Sequence, residues 1–561
     1  MYNKNIMKQL QGYVSRIDSI RVQLSDLSWL QGYATYYLEK VPYSFTTSDI
    51  FSTCISELIA DLIKDNKKDS FNIYELGAGM GFLSRNILDT FKKTHPKFYK
   101  KTQYHVTDYA KPVIDEIKKL ELLSGHKKNV SLKVFDVFKH KLNKLLPDLI
   151  FGVYLLDAFP VRHIEVENGE VYEIQVKTSI TDNAVVFDTT CLPPKLLGFN
   201  DIKKLLKSNK KIKKSLMSRR VLDAVTEEYR RVPLDEIKGI TKAELQDLRS
   251  FVDYLNPGKK IKFNYSYQMG NWLAQLLSRV SQESVIFFYD FGDNKFSKNE
   301  KIENMMLIAG STAFYPVNFP YINFITNKMG FSYLQSEVEN GCPQEVYICS
   351  QKNSKKIKTI IKEINIKEKM KNSLSSYMDF KHLMAKENDA AIKENIPKLA
   401  ANKKLTHSIL TTLTNHFYQK GDFIYAEKLA YMLQDKYYQL DYGSLLVLAQ
   451  IYLRKERLED AEICLDQAVE ISKYIPSAYN YLSVLNYKQN LIEDYIKQSK
   501  LFLKYCRDNN FWKQLSLLAM IYYYSKKHTK AKRIIDWIIA IQKKHPNIVP
   551  KKDVLLLRDI I

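Results

Sequence analysis

Cysteine is scarce, with six in 561 residues, and the six are too scattered for a disulfide framework. The closest pair, Cys342 and Cys349, has no second pair at zinc-site spacing. No metal centre is therefore expected, and a reducing compartment is the better reading. Long apolar runs are missing too: none approaches the roughly 18 residues that span a bilayer. The opening segment MYNKNIMKQLQGY lacks the apolar core of a secretory signal. The expectation is a cytoplasmic protein with no membrane span. Acidic residues are in deficit, 62 against 85 Lys and Arg, for a net charge of +23. Such a balance admits a phosphate or nucleic-acid partner. The lysine excess comes with abundant Ile, Asn and Tyr, however, and that bias explains the charge without a partner. No aromatic–basic stacking motif for single strands stands in the chain, so nucleic acid is possible but not favoured. What is present is globular: 45% hydrophobic and 26% charged residues exclude wholesale disorder. The length calls for about two to four domains and says nothing of oligomeric state.

The chain changes character near residue 400. Before it, short β-type runs alternate with helical stretches: FNIYELGAG (71–79), QYHVTD (103–108), VSLKVFD (130–136), PDLIFGVYLLD (147–157) and SVIFFYDFG (284–292). Alternation of this kind predicts a parallel α/β sheet, Rossmann-like in class. Residues 162–190 alternate with period two about Asn168-Gly169, which predicts a β-hairpin insertion. From 200 to 260 the chain is charged and reads as helical. Its densest stretch, KKLLKSNKKIKKSLMSRR (203–220), is expected to be a solvated insertion, with an anion-binding patch as the alternative. Beyond 400 the pattern is helical and repeats. Ala426, Ala461, Tyr495 and Ala531 are spaced by 35, 34 and 36 residues. Leu413/Leu448/Leu482/Leu518 and Phe417/Tyr452/Asn486/Tyr522 follow the same period. Period and pattern resemble the tetratricopeptide repeat, and predict an all-α solenoid of about four units. The expected division is 1–390 (core about 45–160 and 265–350, insertion about 161–264), a linker at 391–402, repeats at 403–547 and a tail at 548–561.

Glu75-Leu-Gly-Ala-Gly-Met-Gly81 follows an apolar strand and opens a helical segment. Gly77, Gly79 and Gly81 allow a tight turn and close approach of a ligand. The spacing is G-x-G-x-G rather than the dinucleotide G-x-G-x-x-G, with an acid two residues before the first glycine. An acid there suits a ligand carrying an ammonium group, as S-adenosylmethionine does. Asp108 closes the next strand, where a carboxylate can accept both ribose hydroxyls, and Asp136 closes the third, within reach of an adenine amino group. Three acids closing three successive strands would lie along one carboxyl edge, where open α/β sheets bind ligands.

Four segments in order then resemble one family of class I S-adenosylmethionine-dependent methyltransferases. It is the group that includes the mitochondrial complex I assembly-factor arginine methyltransferase and its bacterial relatives. YSFTTSDIFSTCISELIAD (43–61) resembles that family's GDFxTSPE segment and the helix after it. ELGAGMGFL is similar to its glycine loop, LLDAFPVRHIEVENGEVYEIQV (155–176) to its LLDAxPV segment, and MGNWLAQLLSRVSQESVIFFYDFG (269–292) to its tryptophan helix and following strand. The resemblance covers roughly residues 25–390. It implies methyl transfer to a protein nitrogen, arginine in the best-known member; the repeats lie outside it, and the concave surface that repeat arrays offer is expected to recruit a protein substrate or partner. Asp157 of LLDAFPV is then the first candidate to orient an acceptor, and Asp290 a second. Three departures stand out. Val153-Tyr154 replace the family's Asn-Glu or His-Glu, Asp49 stands where the proline of TSPE is expected, and Phe314-Tyr-Pro-Val-Asn-Phe319 loses a histidine. Cofactor motifs survive better than acceptor motifs, so a changed substrate, or a fold kept as a scaffold without methyl transfer, are the alternatives. An RNA methyltransferase is a third.

Overall fold

The computed structural model describes residues 6–39, 41, 47–64, 68–140, 147–181, 184–256, 260–296, 300–336, 343–386, 388–401, 405–507, 511–549 and 557. Residues 43–46 of the first family segment, Cys342 and most of the 548–561 tail lie outside them.

The centre is a seven-stranded sheet. Its strands are β1 (Phe71–Leu76), β2 (Thr102–Asp108), β3 (Val130–Val134), β4 (Leu149–Val153), β5 (Val285–Asp290), β6 (Phe331–Gln335) and β7 (Gln344–Ser350). They lie in the order β3-β2-β1-β4-β5-β7-β6, with β1 to β5 parallel and β7 antiparallel to both of its neighbours. Strands buried on both faces read as continuous apolar runs, and β5 shows why. Val285, Phe287 and Tyr289 join one core while Ile286 and Phe288 join the other. The first core lies under helices Asp49–Lys64 and Phe82–Thr94, the second under Tyr267–Leu277 and Phe319–Lys328. The strand order reverses between β1 and β4, so the loops leaving their carboxyl ends diverge and open a crevice.

The insertion after β4 is a second, antiparallel sheet. Arg162–Glu167 and Glu170–Thr181 form the hairpin, joined by Asn168 and Gly169 at φ +54° and +82°. Positive φ at both central residues is what an Asn-Gly hairpin turn requires. Two of its strands escape the periodicity reading. Met7–Val14, from the far N-terminus, pairs with Glu170–Thr181. Val225–Pro233, inside the stretch read as helical, pairs with the same strand. Four of its nine residues are charged, and three of them form ion pairs: Glu227 with Arg16 at 2.9 Å, Glu228 with Lys177 at 2.9 Å, and Arg231 with Glu167 at 2.7 Å. Hydropathy has no alternation to detect there. The basic stretch 203–220 is likewise more than a solvated face. Its helix Lys211–Ala224 buries Leu216, Met217 and Val221, and Arg220 is buried against the Phe187 carbonyl at 2.9 Å.

The C-terminal region is helical. Residues expected as a linker form helix Asp389–Ala401, which buries Ile392 and Ile396 one turn apart despite Pro397 within it. Four antiparallel pairs follow: His407–Gln419 with Phe423–Lys436, Tyr442–Arg454 with Leu458–Ile471, Pro476–Lys488 with Ile492–Tyr505, and Trp512–Tyr524 with His528–Lys544. Ala426, Ala461, Tyr495 and Ala531 are all buried early in the second helix of a pair; the three alanines let the helices approach, and Tyr495 departs from that pattern. The array is packed onto the sheet domain rather than hanging free. Tyr438 donates its hydroxyl to Asn86 Oδ1 at 2.6 Å, Lys436 pairs with Asp49 at 2.8 Å, and the rings of Phe82 and Tyr437 meet edge to face at 5.6 Å.

Candidate active site

Beyond β1 the chain turns through Gly77, Gly79 and Gly81 at φ +69°, +55° and +77°, and helix Phe82–Thr94 starts at once. A side chain would be both strained and obstructed there. A Cβ on Gly79 would lie 2.6 Å from the Tyr36 hydroxyl, and one on Gly77 would lie 3.0 Å from Leu155. The loop borders a cavity of about 510 Å³, within the usual range for a small-molecule site.

Glu75 lines this cavity at the end of β1. It is buried, and its Oε2 accepts hydrogen bonds from the Ser84 hydroxyl and from Tyr104 at 2.9 Å. Burial pushes its carboxyl up to about 7 against the pull of those two donors. Asp108 stands behind the loop, where its two oxygens accept the N–H groups of Gly79 at 3.0 Å and Ala110 at 2.8 Å. Its acidity is also weakened by burial, to about 6. Asp108 thus braces the glycine loop rather than lining the cavity. Asp136 lies two residues past the end of β3, pairs with Lys139 at 2.6 Å, and is likewise absent from the lining. Of the three strand-end acids, the structure brings Glu75 to the cavity, Asp108 to its supporting layer and Asp136 to neither.

The opposite side of the crevice is the turn after β4. Tyr154 is held at φ +50°, in a region non-glycine residues rarely adopt, and lines the cavity with Asp157. Asp290, at the end of β5, is wholly buried, and its oxygens accept the N–H groups of Leu156 at 2.7 Å and Phe291 at 2.8 Å. It fixes the turn. Asp157 is different: it is buried in the lining, and its Oδ1 accepts no hydrogen bond. Burial, and then the neighbouring Asp290, hold the Asp157 carboxyl well above the usual carboxylate range. Burial also moves Asp290 up, to about 7, opposed by the backbone N–H groups it accepts. Two adjacent buried carboxyls favour one shared proton. Both carboxyls accept backbone N–H groups, and the Asp157 anion, opposed by burial and by Asp290, is the less favoured of the two.

The remaining walls were not predicted. Trp29 and Tyr36 come from the N-terminal helical segment, Thr47 from the residues before helix Asp49–Lys64, and Leu307, Ile308 and Phe314 from a small hairpin, Leu307–Ala309 with Thr312–Phe314. Phe314 begins the segment that departs from the family, and Asn318 within it caps helix Phe319–Lys328 by accepting from Tyr321 N–H at 2.9 Å. No local pattern marks Trp29 or Tyr36; a ring in a helix reads as core. Among the described residues there is no group of three or more His, Cys, Asp or Glu placed to hold a metal, and no helix is long and apolar enough to cross a membrane.

Residues 54–306 match the model of the family described as "Putative S-adenosyl-L-methionine-dependent methyltransferase". Among solved structures the chain is similar to a protein from Burkholderia thailandensis bound to S-adenosyl-homocysteine, at 11% identity over 60% of this chain and 88% of that one, with a TM-score of 0.39. A second Burkholderia thailandensis structure shares 12% identity over 58% and 73%, with a TM-score of 0.37. The CcbJ methyltransferase from Streptomyces caelestis shares 8% over 58% and 98%, with a TM-score of 0.27. No curated protein matches the chain. The sheet domain is that of an S-adenosylmethionine-dependent methyltransferase, and S-adenosylmethionine is its cofactor.

The residues present fit that cofactor. The glycine loop is a cradle that side chains would fill, and Glu75 offers a buried carboxyl that an ammonium group would ionise. Glu75 and the backbone of 77–81 would hold it, with Tyr36 closing over the loop.

Proposed function

We propose that the methyl acceptor is a protein side-chain nitrogen, arginine being the residue the family resemblance implies, and that the helical pairs form a tetratricopeptide array that recruits substrate or partner in the cytoplasm. The observation that carries this reading is Asp157, a buried carboxyl in the cavity wall with an oxygen that no donor satisfies. A buried acceptor left open is costly unless a ligand completes it. A guanidinium is planar, permanently charged and rich in N–H donors, so it complements a carboxylate in an aromatic-lined pocket. Trp29, Tyr154 and Phe314 supply such rings in the lining.

When bound, the cofactor supplies a methyl group on a sulfonium, and displacement in line needs chiefly correct placement of the acceptor. Asp290 fixes the turn that carries Asp157. An arriving cation favours loss of the Asp157 proton to solvent, and the carboxylate then orients the acceptor nitrogen through its N–H groups and accepts the proton that nitrogen sheds on methylation. Tyr154 stands where the family carries a second acid. That substitution favours a second reading, a methyltransferase fold kept as an assembly scaffold.

The test is incubation of the purified chain with methyl-labelled S-adenosylmethionine and extract from a strain lacking the gene. Label in protein, released on hydrolysis as methylated arginine, is the expected result. Cofactor binding without any transfer would leave the scaffold, and label in RNA would replace the protein acceptor.

A further inference from the structure

The cavity's outer wall, the hairpin Leu307–Ala309 with Thr312–Phe314, is fixed at its tip by residues from both ends of the chain. Ser311, in the turn, donates its N–H to Glu39 Oε2 at 2.6 Å, and its hydroxyl meets Ser28 Oγ at 2.8 Å. Gly310 is at φ +59° against the same carboxylate, so a side chain at 310 would displace Glu39. Ala313 N–H reaches Ser25 Oγ at 2.9 Å. The other oxygen of Glu39 is taken by Arg507, which lies just beyond helix Ile492–Tyr505 of the array; its second amino group donates to Gln31 Oε1. Arg507, Glu39, Gln31 and Ser311 are all buried.

The chemistry of this chain is cooperative. A guanidinium fork spans two acceptors in fixed geometry, which an ammonium cannot do. Glu39 in turn is a buried carboxylate that needs a cation, and removing one member of such a pair leaves the other charge uncompensated. The array bears on the opposite wall as well. Tyr438 lies against Asn86, Asp89 and Arg85 on the helix that leaves the glycine loop, with the Arg85 guanidinium 4.6 Å above its ring. The helical array therefore grips both sides of the crevice.

We propose that Arg507 is a positioning residue of the cofactor site: through Glu39 it holds the hairpin 307–314 over the cavity, so the helical array is a structural part of that site. The proposal rests on the cofactor assignment, and its test therefore uses one readout that needs no cofactor. Hydrogen exchange on the full chain compares amides of 307–314 with those of β1. In Arg507→Gln, protection at 307–314 is expected to fall about tenfold or more while β1 keeps its own, as for a local opening. Calorimetry on the same variant is expected to show S-adenosyl-homocysteine binding about tenfold weaker, from a looser site. Arg507→Lys keeps the charge without the fork and is expected to restore part of both. Should Arg507→Gln not fold, Arg507→Lys against wild type carries the test with the same two readouts. Wild-type protection at 307–314 in a folded variant overturns the proposal, as does protection lost equally in β1 or an unchanged affinity beside a loosened hairpin. A wild-type chain that binds no S-adenosyl-homocysteine would instead fault the cofactor assignment, and the exchange comparison would still decide the role of Arg507.

Discussion

The two walls of the cavity are built in opposite ways. The inner wall is one run of sequence, Glu75 to Gly81, where strand end, acid and three left-handed glycines lie within seven positions. The outer wall takes Trp29 and Tyr36 from the N-terminus, Tyr154 and Asp157 from the turn after β4, and Phe314 from the small hairpin. The difference teaches where each kind of function can change. A local loop keeps the cofactor as long as its own backbone geometry survives. A wall assembled from distant segments can change by one replacement without disturbing the sheet.

The largest effect is expected from Gly79→Arg, which attacks the inner wall. A side chain at φ +55° is strained and would collide with Tyr36. S-adenosyl-homocysteine binding, followed by calorimetry, should fall by about a thousandfold or be lost. A variant that still binds would mean the loop does not cradle the cofactor.

Next comes Asp157→Asn on the outer wall. Methyl transfer should drop by about a hundredfold or more, in keeping with the loss of a positioned acid–base group. Cofactor affinity should stay within about twofold, because the inner wall is intact. Equal losses in both would merge the two walls into one binding unit.

A smaller effect concerns Glu75. Burial raises its carboxyl to about 7, so in the free protein it is largely protonated below that pH and ionised above it. An ammonium ligand pairs only with the anion, so cofactor affinity should rise as pH increases from about 6 to 8, with a proton released on binding. Glu75→Gln should weaken binding about tenfold and flatten the profile. A profile unchanged by the substitution would assign the titration to another group.

The smallest effect belongs to Asp136→Asn. Its carboxylate lies outside the cavity lining and pairs with the exposed Lys139. Stability should change by less than about 0.5 kcal/mol and cofactor affinity by less than about twofold. A tenfold loss of affinity would restore Asp136 to the site.

Legibility followed the same division. The five parallel strands were visible because apolar runs bounded by turns carry their own signal, and the helical pairs because their spacing recurs through residues such as Ala426 and Ala461. Val225–Pro233 was missed because the adjacent pairs Glu227-Glu228 and Arg230-Arg231 put charge on both faces and leave no apolar alternation. The Asp389–Ala401 helix was missed as well, because a proline such as Pro397 in a helical interior reads as a break. Asp108 was correctly singled out as an acid at a strand end, but whether it faces the ligand or braces the loop depends on a side-chain direction that spacing does not encode.

By itself, the sequence determined many of the elements: the five parallel strands, the left-handed turn at the glycine loop, and the region that is helical and periodic. These follow from backbone sterics and from burial of one face, both set by neighbours a few positions away. Only the tertiary structure decided the strand order that opens the crevice, the pairing of Met7–Val14 with the insertion, and the meeting of Asp157 with Asp290, 133 residues further on. It alone joined Arg507 to Glu39 across 468 residues. Contacts of that kind depend on how whole layers pack, and a buried charge finds its partner only after the layers have closed.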